Sequence, residues 1–381
     1  MNDAYEAVVV GGGIVGASAA YHLVRDGVET LLVDRDDEGR ATDAGAGIVS
    51  PATSSRTASG PWFGLAVDAF EYYPTLVARL EAAGERETSF SRPGLLAVAV
   101  DEDETAPLSN SLERIDERKR RLANPAPGSV ESLEPPAASA RLPGLAPVRR
   151  AFHYADAARI DGRRFADATR RAAEDAGLDV ENGDVADLTV ANGSVRAVEL
   201  ADGRTIGADR VVVTGGAWSP AFADRLDVEI PVEPQRGQIA HLRHPELPTG
   251  EWPIVKGFRG HYVVPWSDGR VAVGATRESG SGYASRTTAA GVREVLEEAL
   301  RLIPALGDAE LREVRVGLRP ASPDGLPILG AVPGIEGAYL ATGHGPTGLT
   351  LGPYSGKLIA ELVRGEAPSS GLEPFAPERF A

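Results

Sequence analysis

The sequence predicts an α/β protein in which a parallel nucleotide-binding sheet is interleaved with a second domain on a largely antiparallel sheet. Three observations predict it. The chain opens on a β-α-β pattern carrying Gly-x-Gly-x-x-Gly. Its middle holds Asn-Gly and Asp-Gly pairs set between β-type runs. Near the C-terminus a second strand, glycine-rich turn and helix follow one another. The 381 residues fit two domains at ~150 residues each.

Ala7–Val10 reads as a strand buried on both faces, and Ala17–Arg25 as a helix stopped by Gly27. Val28–Val33 is a second strand, ending at Asp34, so the first unit has the length a parallel crossover needs. Residues 39–61 read as a long loop, and Leu65–Ala83 as a helix kinked or broken at Pro74. Leu95–Val100 is a strand. Leu108–Leu122 is a charged helix whose run Arg118-Lys119-Arg120-Arg121 reads as a solvated face, and 123–150 is irregular. A helix spans Gly162–Ala176. Asn192-Gly193 and Asp202-Gly203 make a three-stranded meander with primed turns, followed by a separate strand, Arg210–Val213. A hairpin at Asp268-Gly269 joins His261–Val264 to Val271–Gly274, and Ala289–Leu302 is helical. The tail gives a strand, Ala338–Ala341, a glycine turn and a helix, Leu349–Val363.

Composition removes several function classes. There is no cysteine, which excludes disulfides, thiolate metal sites and a cysteine-linked cofactor. A net charge of -16 repels nucleic acid and anionic membranes. Only three of the 39 basic residues are lysines (Lys119, Lys256 and Lys357), which reads as adaptation to a salty cytoplasm or as a GC-rich genome. No apolar run reaches the ~18 residues of a membrane span, and the N-terminus lacks the basic start of a signal peptide. A cytoplasmic protein is expected. His241 and His244 are close, but no convergent group accompanies them, so no metal site is expected.

The glycine motif carries the first chemistry. Gly11 permits the tight turn, Gly13 lets backbone approach a pyrophosphate, and Gly16 lets helix and strand pack. The helix N-terminus then offers free N–H groups to phosphate. Asp34 stands where an acidic side chain accepts from the adenosine ribose. This is a Rossmann-type signature; it leaves NAD and FAD both open. The turn Gly343-His344-Gly345-Pro346-Thr347-Gly348 opens a second helix, whose N-terminus suits developing negative charge.

With these residues in view, the sequence resembles the D-amino-acid oxidase superfamily of flavoproteins, with glycine oxidases and D-amino-acid dehydrogenases as its nearest members. The resemblance is carried by Tyr5–Gly16, Ala44–Ile48, Gly317-Leu318-Arg319-Pro320 with Pro323–Gly330, and Ala341–Gly345. It implies FAD, a Rossmann-type FAD-binding domain at 1–85, 150–220 and 310–381, and a substrate domain at 86–149 and 221–309. Ile14, Val15, Asp34, Arg35, Ala41, Thr42, Ala46, Gly47 and Ile48 match cofactor-contacting positions. So do Val185, Gly215, and His344 through Thr350, including Leu349. Arg319 matches the arginine that grips the substrate carboxylate in a two-point fork lysine cannot copy. Tyr262 matches a tyrosine near the same carboxylate, while His261 on a regular strand faces the other way.

The implied reaction oxidises the C–N bond of an amino acid, a D-amino acid or glycine-like. A hydride passes to flavin N5, and the imine hydrolyses to a 2-oxo acid and ammonia. Oxygen or a quinone-type carrier reoxidises the flavin. No side-chain base is needed if the amine arrives neutral. A secondary amino acid such as sarcosine or proline, an NAD-dependent dehydrogenase, and a structural flavin-bearing subunit are the alternatives. Pro346 stands where glycine oxidases usually carry a basic residue, which weighs against glycine itself. Trp62, Phe63, Trp218 and Trp266 are candidates for the cavity wall or for plain core.

Overall fold

A computed structural model describes residues 2–56, 60–121 and 130–381, without the side chains of 119–121. Two eight-stranded sheets face each other across the molecule. The first has a parallel centre: Ala4–Val10 pairs with Thr30–Asp34 on one side and Thr205–Val213 on the other. Asp179–Asn182 and Ala338–Thr342 extend it in parallel, and Ile328–Ala331 closes one edge antiparallel. Val8, Val9, Leu31, Leu32, Val211 and Val212 are fully buried. Each such side chain is worth ~1.5–3 kcal/mol, which is why these short runs hold as strands. Helices Ile14–Arg25, Pro61–Ala82, Gly162–Asp175 and Gly348–Val363 supply the core against one face.

The second sheet runs Glu310–Ala321, Glu233–Arg243, Arg270–Gly274, Tyr262–Pro265, Ile254–Lys256, Leu95–Ala99, Arg150–Tyr154 and Val130–Leu133. Only the Ile254–Lys256 and Leu95–Ala99 pair is parallel. The expected fold class is therefore the observed one. The boundaries expected at 150 and 310 fall differently in the sheets. Arg150–Tyr154 and Glu310–Ala321 both pair into the second, because Arg150–Tyr154 aligns with Leu95–Ala99 and Glu310–Ala321 with Glu233–Arg243.

Several elements differ from the sequence reading. Thr205–Val213 is one strand: its first half closes the meander and its second half joins the parallel sheet. Asn192-Gly193 makes the expected primed turn, with φ of 52° and 72°. Asp202-Gly203 does not; Asp202 Oδ1 accepts from Arg204 N at 3.0 Å, and only Gly203 has positive φ. The helix continues unbroken past Pro74, an exposed position, because Tyr73 and Leu76 on either side of it are fully buried. The 39–61 loop contains a helix, Ala41–Ala44, and a strand, Ile48–Val49; 57–59 lie outside the described residues. The expected irregular stretch 123–150 holds Val130–Leu133 and Pro135–Arg141, with 122–129 outside the described residues.

Arg118 overturns its expected solvated role. It is 1% exposed. Its Nη1 donates to the carbonyls of Pro51 (2.9 Å), Ala52 (2.6 Å) and Ser54 (2.9 Å), and its Nη2 to that of Arg56 (2.5 Å). Burial pushes its pKa down to about 10. The guanidinium thus replaces the backbone partners that segment 51–56 lacks. Replacing Arg118 by Leu should cost at least about 3 kcal/mol in urea denaturation, since even one hydrogen bond to a charged group is worth ~1.5–3 kcal/mol. Lysine should not restore it, because one ammonium cannot span four carbonyls. An unchanged urea midpoint for Arg118→Leu would refute this role.

Candidate functional site

One long cavity lies between the sheets and encloses about 1800 Å³, its open mouth included. Its nucleotide end is built by the first strand and helix. Gly13 caps that helix without a side-chain hydrogen bond, and no acidic residue sits in its first turn. Thr42 Oγ1 accepts the Ile14 N–H at 3.0 Å. A Cβ on Gly16 would collide with the Gly11 carbonyl, so the close helix–strand approach requires glycine there. Asp34 Oδ2 accepts from Gly12 N, and its Oδ1 from Asp36 N at 2.8 Å. Arg35 pairs with Asp37 at 2.5 Å and lies over Trp218 at 5.9 Å. Val185 begins the meander strand Val185–Ala191 on this wall.

The opposite wall belongs to the second sheet. Arg319 lies near the end of Glu310–Ala321, and its Nη1 donates to the Thr276 carbonyl at 3.0 Å. Its side chain crosses Gly237 on the neighbouring strand; a Cβ at 237 would fall on the guanidinium. No carboxylate lies within 4 Å of Arg319 among the described residues. Burial lowers its pKa, and the Tyr262 hydroxyl beside it pulls the other way. Burial raises the pKa of Tyr262, while Arg319 and Arg277 oppose that shift. His261 turns away, with Nε2 3.2 Å from Glu294 Oε1.

The floor is the turn before Gly348–Val363. His344 is buried, its Nε2 3.0 Å from Ser355 Oγ, and burial alone pushes its pKa down to about 4. The helix that follows has no side-chain cap and continues directly from the 3-10 turn Gly345–Thr347.

The cavity brings together Gly11, Gly13, Ile14, Val15, Asp34, Arg35, Ala41, Thr42, Ala46, Gly47, Ile48, Val185, Gly215, Tyr262, Arg319, His344, Gly345, Pro346, Gly348 and Leu349. Gly16, Gly343, Thr347 and Thr350 do not line it. Gly16 is spent on packing, Thr347 accepts from Trp62 Nε1 at 3.3 Å, and Thr350 donates to the Ile48 carbonyl at 3.4 Å. Of the four candidate aromatics only Trp218 lines the wall; Trp62, Phe63 and Trp266 are core. Sequence reading missed Gly237 and Arg277. An isolated glycine between Arg236 and Gln238 in a strand is itself a signal of close approach, whereas nothing in the sequence separates Arg277 from the other arginines. Among the described residues there is no metal-binding cluster and no helix long and apolar enough to cross a membrane.

Comparison with known proteins fits this geometry. Residues 6–362 match the family model described as FAD dependent oxidoreductase, DAO. The chain belongs to the DAO family. It is 38% identical to an uncharacterized oxidoreductase of Bacillus subtilis, over 97% of this chain and 98% of that one. It is 32% identical to the glycine oxidase of Pseudomonas putida, over 98% of each chain. Iminodiacetate oxidase from Chelativorans sp. superposes with a TM-score of 0.92 at 40% identity, covering 97% of this chain and 98% of that one. Glycine oxidase from Geobacillus kaustophilus gives 0.88 at 28%, covering 99% of each. The nucleotide the glycine motif left open is thus FAD. The glycine turn Gly11–Ile14, Asp34 at the strand end and the His344 turn all line one cavity, and that lining fits the group. Asp34→Leu should weaken FAD binding about tenfold or more, one charge-assisted hydrogen bond's worth, as read by flavin absorbance retained through dialysis. Full retention would remove Asp34 from the cofactor site.

Proposed function

We propose that this DAO-family oxidoreductase oxidises the C–N bond of a small carboxylated amine, with Arg319 gripping the carboxylate. One observation carries the reading: Arg319 is a half-buried guanidinium in the cofactor cavity with, among the described residues, no carboxylate within 4 Å. The names of two relatives support it, since glycine and iminodiacetate are both amines with a carboxylate one carbon from nitrogen.

FAD, when bound, supplies the two-electron acceptor. The chain's own residues do the rest. Arg319 presents parallel N–H donors to both carboxylate oxygens, and the Tyr262 hydroxyl adds a further donor. Gly237 and the Thr276 carbonyl fix where the guanidinium sits, so the substrate's α-carbon is placed by a rigid anchor. Ile239 and Leu318 line the same wall and exclude water from it. The N-terminus of Gly348–Val363 favours negative charge developing at the cavity floor.

The α-carbon loses a hydride and the nitrogen a proton; water then splits the resulting imine into a carbonyl acid and an amine or ammonia. The acidic residues lining the cavity, Asp34, Asp37 and Asp184, all belong to the nucleotide end, and His344 is turned to Ser355. No side chain near Arg319 is therefore assigned as base, and the amine reacts in its neutral form.

Arg319→Leu should raise KM and lower kcat/KM about 100-fold, as expected for a lost bidentate contact, while FAD occupancy stays near wild type. Gly237→Ala should shift KM in the same direction by crowding a guanidinium that is still present. Anaerobic bleaching of the flavin by glycine, sarcosine, proline and D-amino acids reads both variants. Undiminished bleaching by Arg319→Leu would defeat the assignment.

A further inference from the structure

We propose that the substrate carries a second carboxylate, and that Arg277 receives it at the cavity mouth. The proposal rests on Arg319 as the grip for the first carboxylate. Arg277 lines the same cavity. It follows Thr276, whose carbonyl holds Arg319 Nη1 at 3.0 Å, so the two guanidinium-bearing residues meet at one backbone unit. The two are close enough that Arg277 repels the Arg319 charge.

The chain leaves this charge unanswered. Glu278, next in sequence, is committed elsewhere: Oε2 to Arg236 at 2.6 Å, and Oε1 to Gln238 and Thr276, both at 2.7 Å. Arg277, an exposed residue, donates Nη1 to the Gly260 carbonyl at 3.0 Å, and among the described residues its guanidinium makes no other hydrogen bond. A guanidinium has five N–H donors, and no carboxylate lies within 4 Å of it among the described residues. Three other arginines of this domain are paired with carboxylates. Arg259 pairs with Asp101, Arg270 with Asp161 and Arg301 with Glu104.

A third cation stands behind them. Lys256 is the cross-strand partner of Tyr262, and its Nζ donates to the Thr53 carbonyl at 2.6 Å. Burial first, then Arg114, Arg118 and Arg277, push its pKa down to about 8. A chain with 55 acidic and 39 basic residues thus sets Arg319 and Arg277, neither with a carboxylate within 4 Å among the described residues, on one cavity wall. A single carboxylate answers Arg319 and leaves Arg277 facing it. A second carboxylate, on the nitrogen substituent or on the side chain, answers both.

The test uses flavin-loaded protein. Calorimetric titration compares oxydiacetate with methoxyacetate, a matched pair holding two carboxylates and one, neither with an oxidisable C–N bond. Turnover compares iminodiacetate with sarcosine, and D-aspartate with D-alanine; these arms tell a nitrogen-borne second carboxylate from one on the side chain. Wild type should prefer the dicarboxylate of each favoured pair by about tenfold or more, and Arg277→Gln should shrink that margin to about twofold. Arg277→Lys should keep part of it. No margin in wild type, or a margin that survives Arg277→Gln, overturns the second site. If methoxyacetate binding still depends on Arg319 in that case, the first grip stands and only the second fails. If neither ligand's binding responds to Arg319→Leu, both readings fall.

Discussion

The structure is organised around one unneutralised guanidinium. Arg319 is half-buried without a counter-carboxylate among the described residues, an arrangement that costs free energy unless an anion arrives. The fold meets that cost in part through neutral groups. The Thr276 carbonyl accepts one N–H, the Tyr262 hydroxyl lies alongside, and the missing side chain of Gly237 leaves the space. Removing any acidic neighbour from the wall makes the site selective, because a resident Asp or Glu would close the fork before a ligand reached it.

That requirement explains the interleaving of the two sheets. The guanidinium must face a cofactor held at a helix N-terminus, so the strand that bears it cannot belong to the sheet that binds the nucleotide. Glu310–Ala321 accordingly pairs with Glu233–Arg243 in the second sheet, then the chain crosses back to add Ile328–Ala331 and Ala338–Thr342 to the first. The isolated bridge between Ala321 and His344 ties the end of the arginine strand to the cavity floor. Anchor and floor are thereby fixed relative to each other by backbone rather than by side chains alone.

The sequence made the nucleotide half legible because its signals are local. Gly11 to Gly16 and Asp34 fall within one β-α-β unit, whose spacing alone states the geometry. The substrate half was legible only at Arg319 and Tyr262, through the resemblance of whole motifs. Gly237 and Arg277 escaped because their roles exist only across strands: Gly237 matters through a side chain 82 positions later. Arg118 misled for the same reason. In sequence it belongs to a basic run, and only the fold of 51–56 over the helix Thr105–Arg121 makes it a buried donor. Pro74 misled in the other direction, since tertiary burial of Tyr73 and Leu76 outweighs the hydrogen bond a proline removes.

Two cations outside the cavity lining hold the segment 51–56. Lys256 and Arg118 both bond backbone carbonyls within 51–56, and Arg56 in turn reaches the Gly325 carbonyl at 2.5 Å. Backbone carbonyls satisfy these heads without cancelling their charge, as carboxylates would. The segment is ordered and the cavity stays positive, in a molecule whose overall charge is -16. An anion approaching that surface is repelled everywhere except where low-dielectric walls and uncancelled cations reverse the local field. Selection for an anionic ligand therefore acts at approach as well as at the grip.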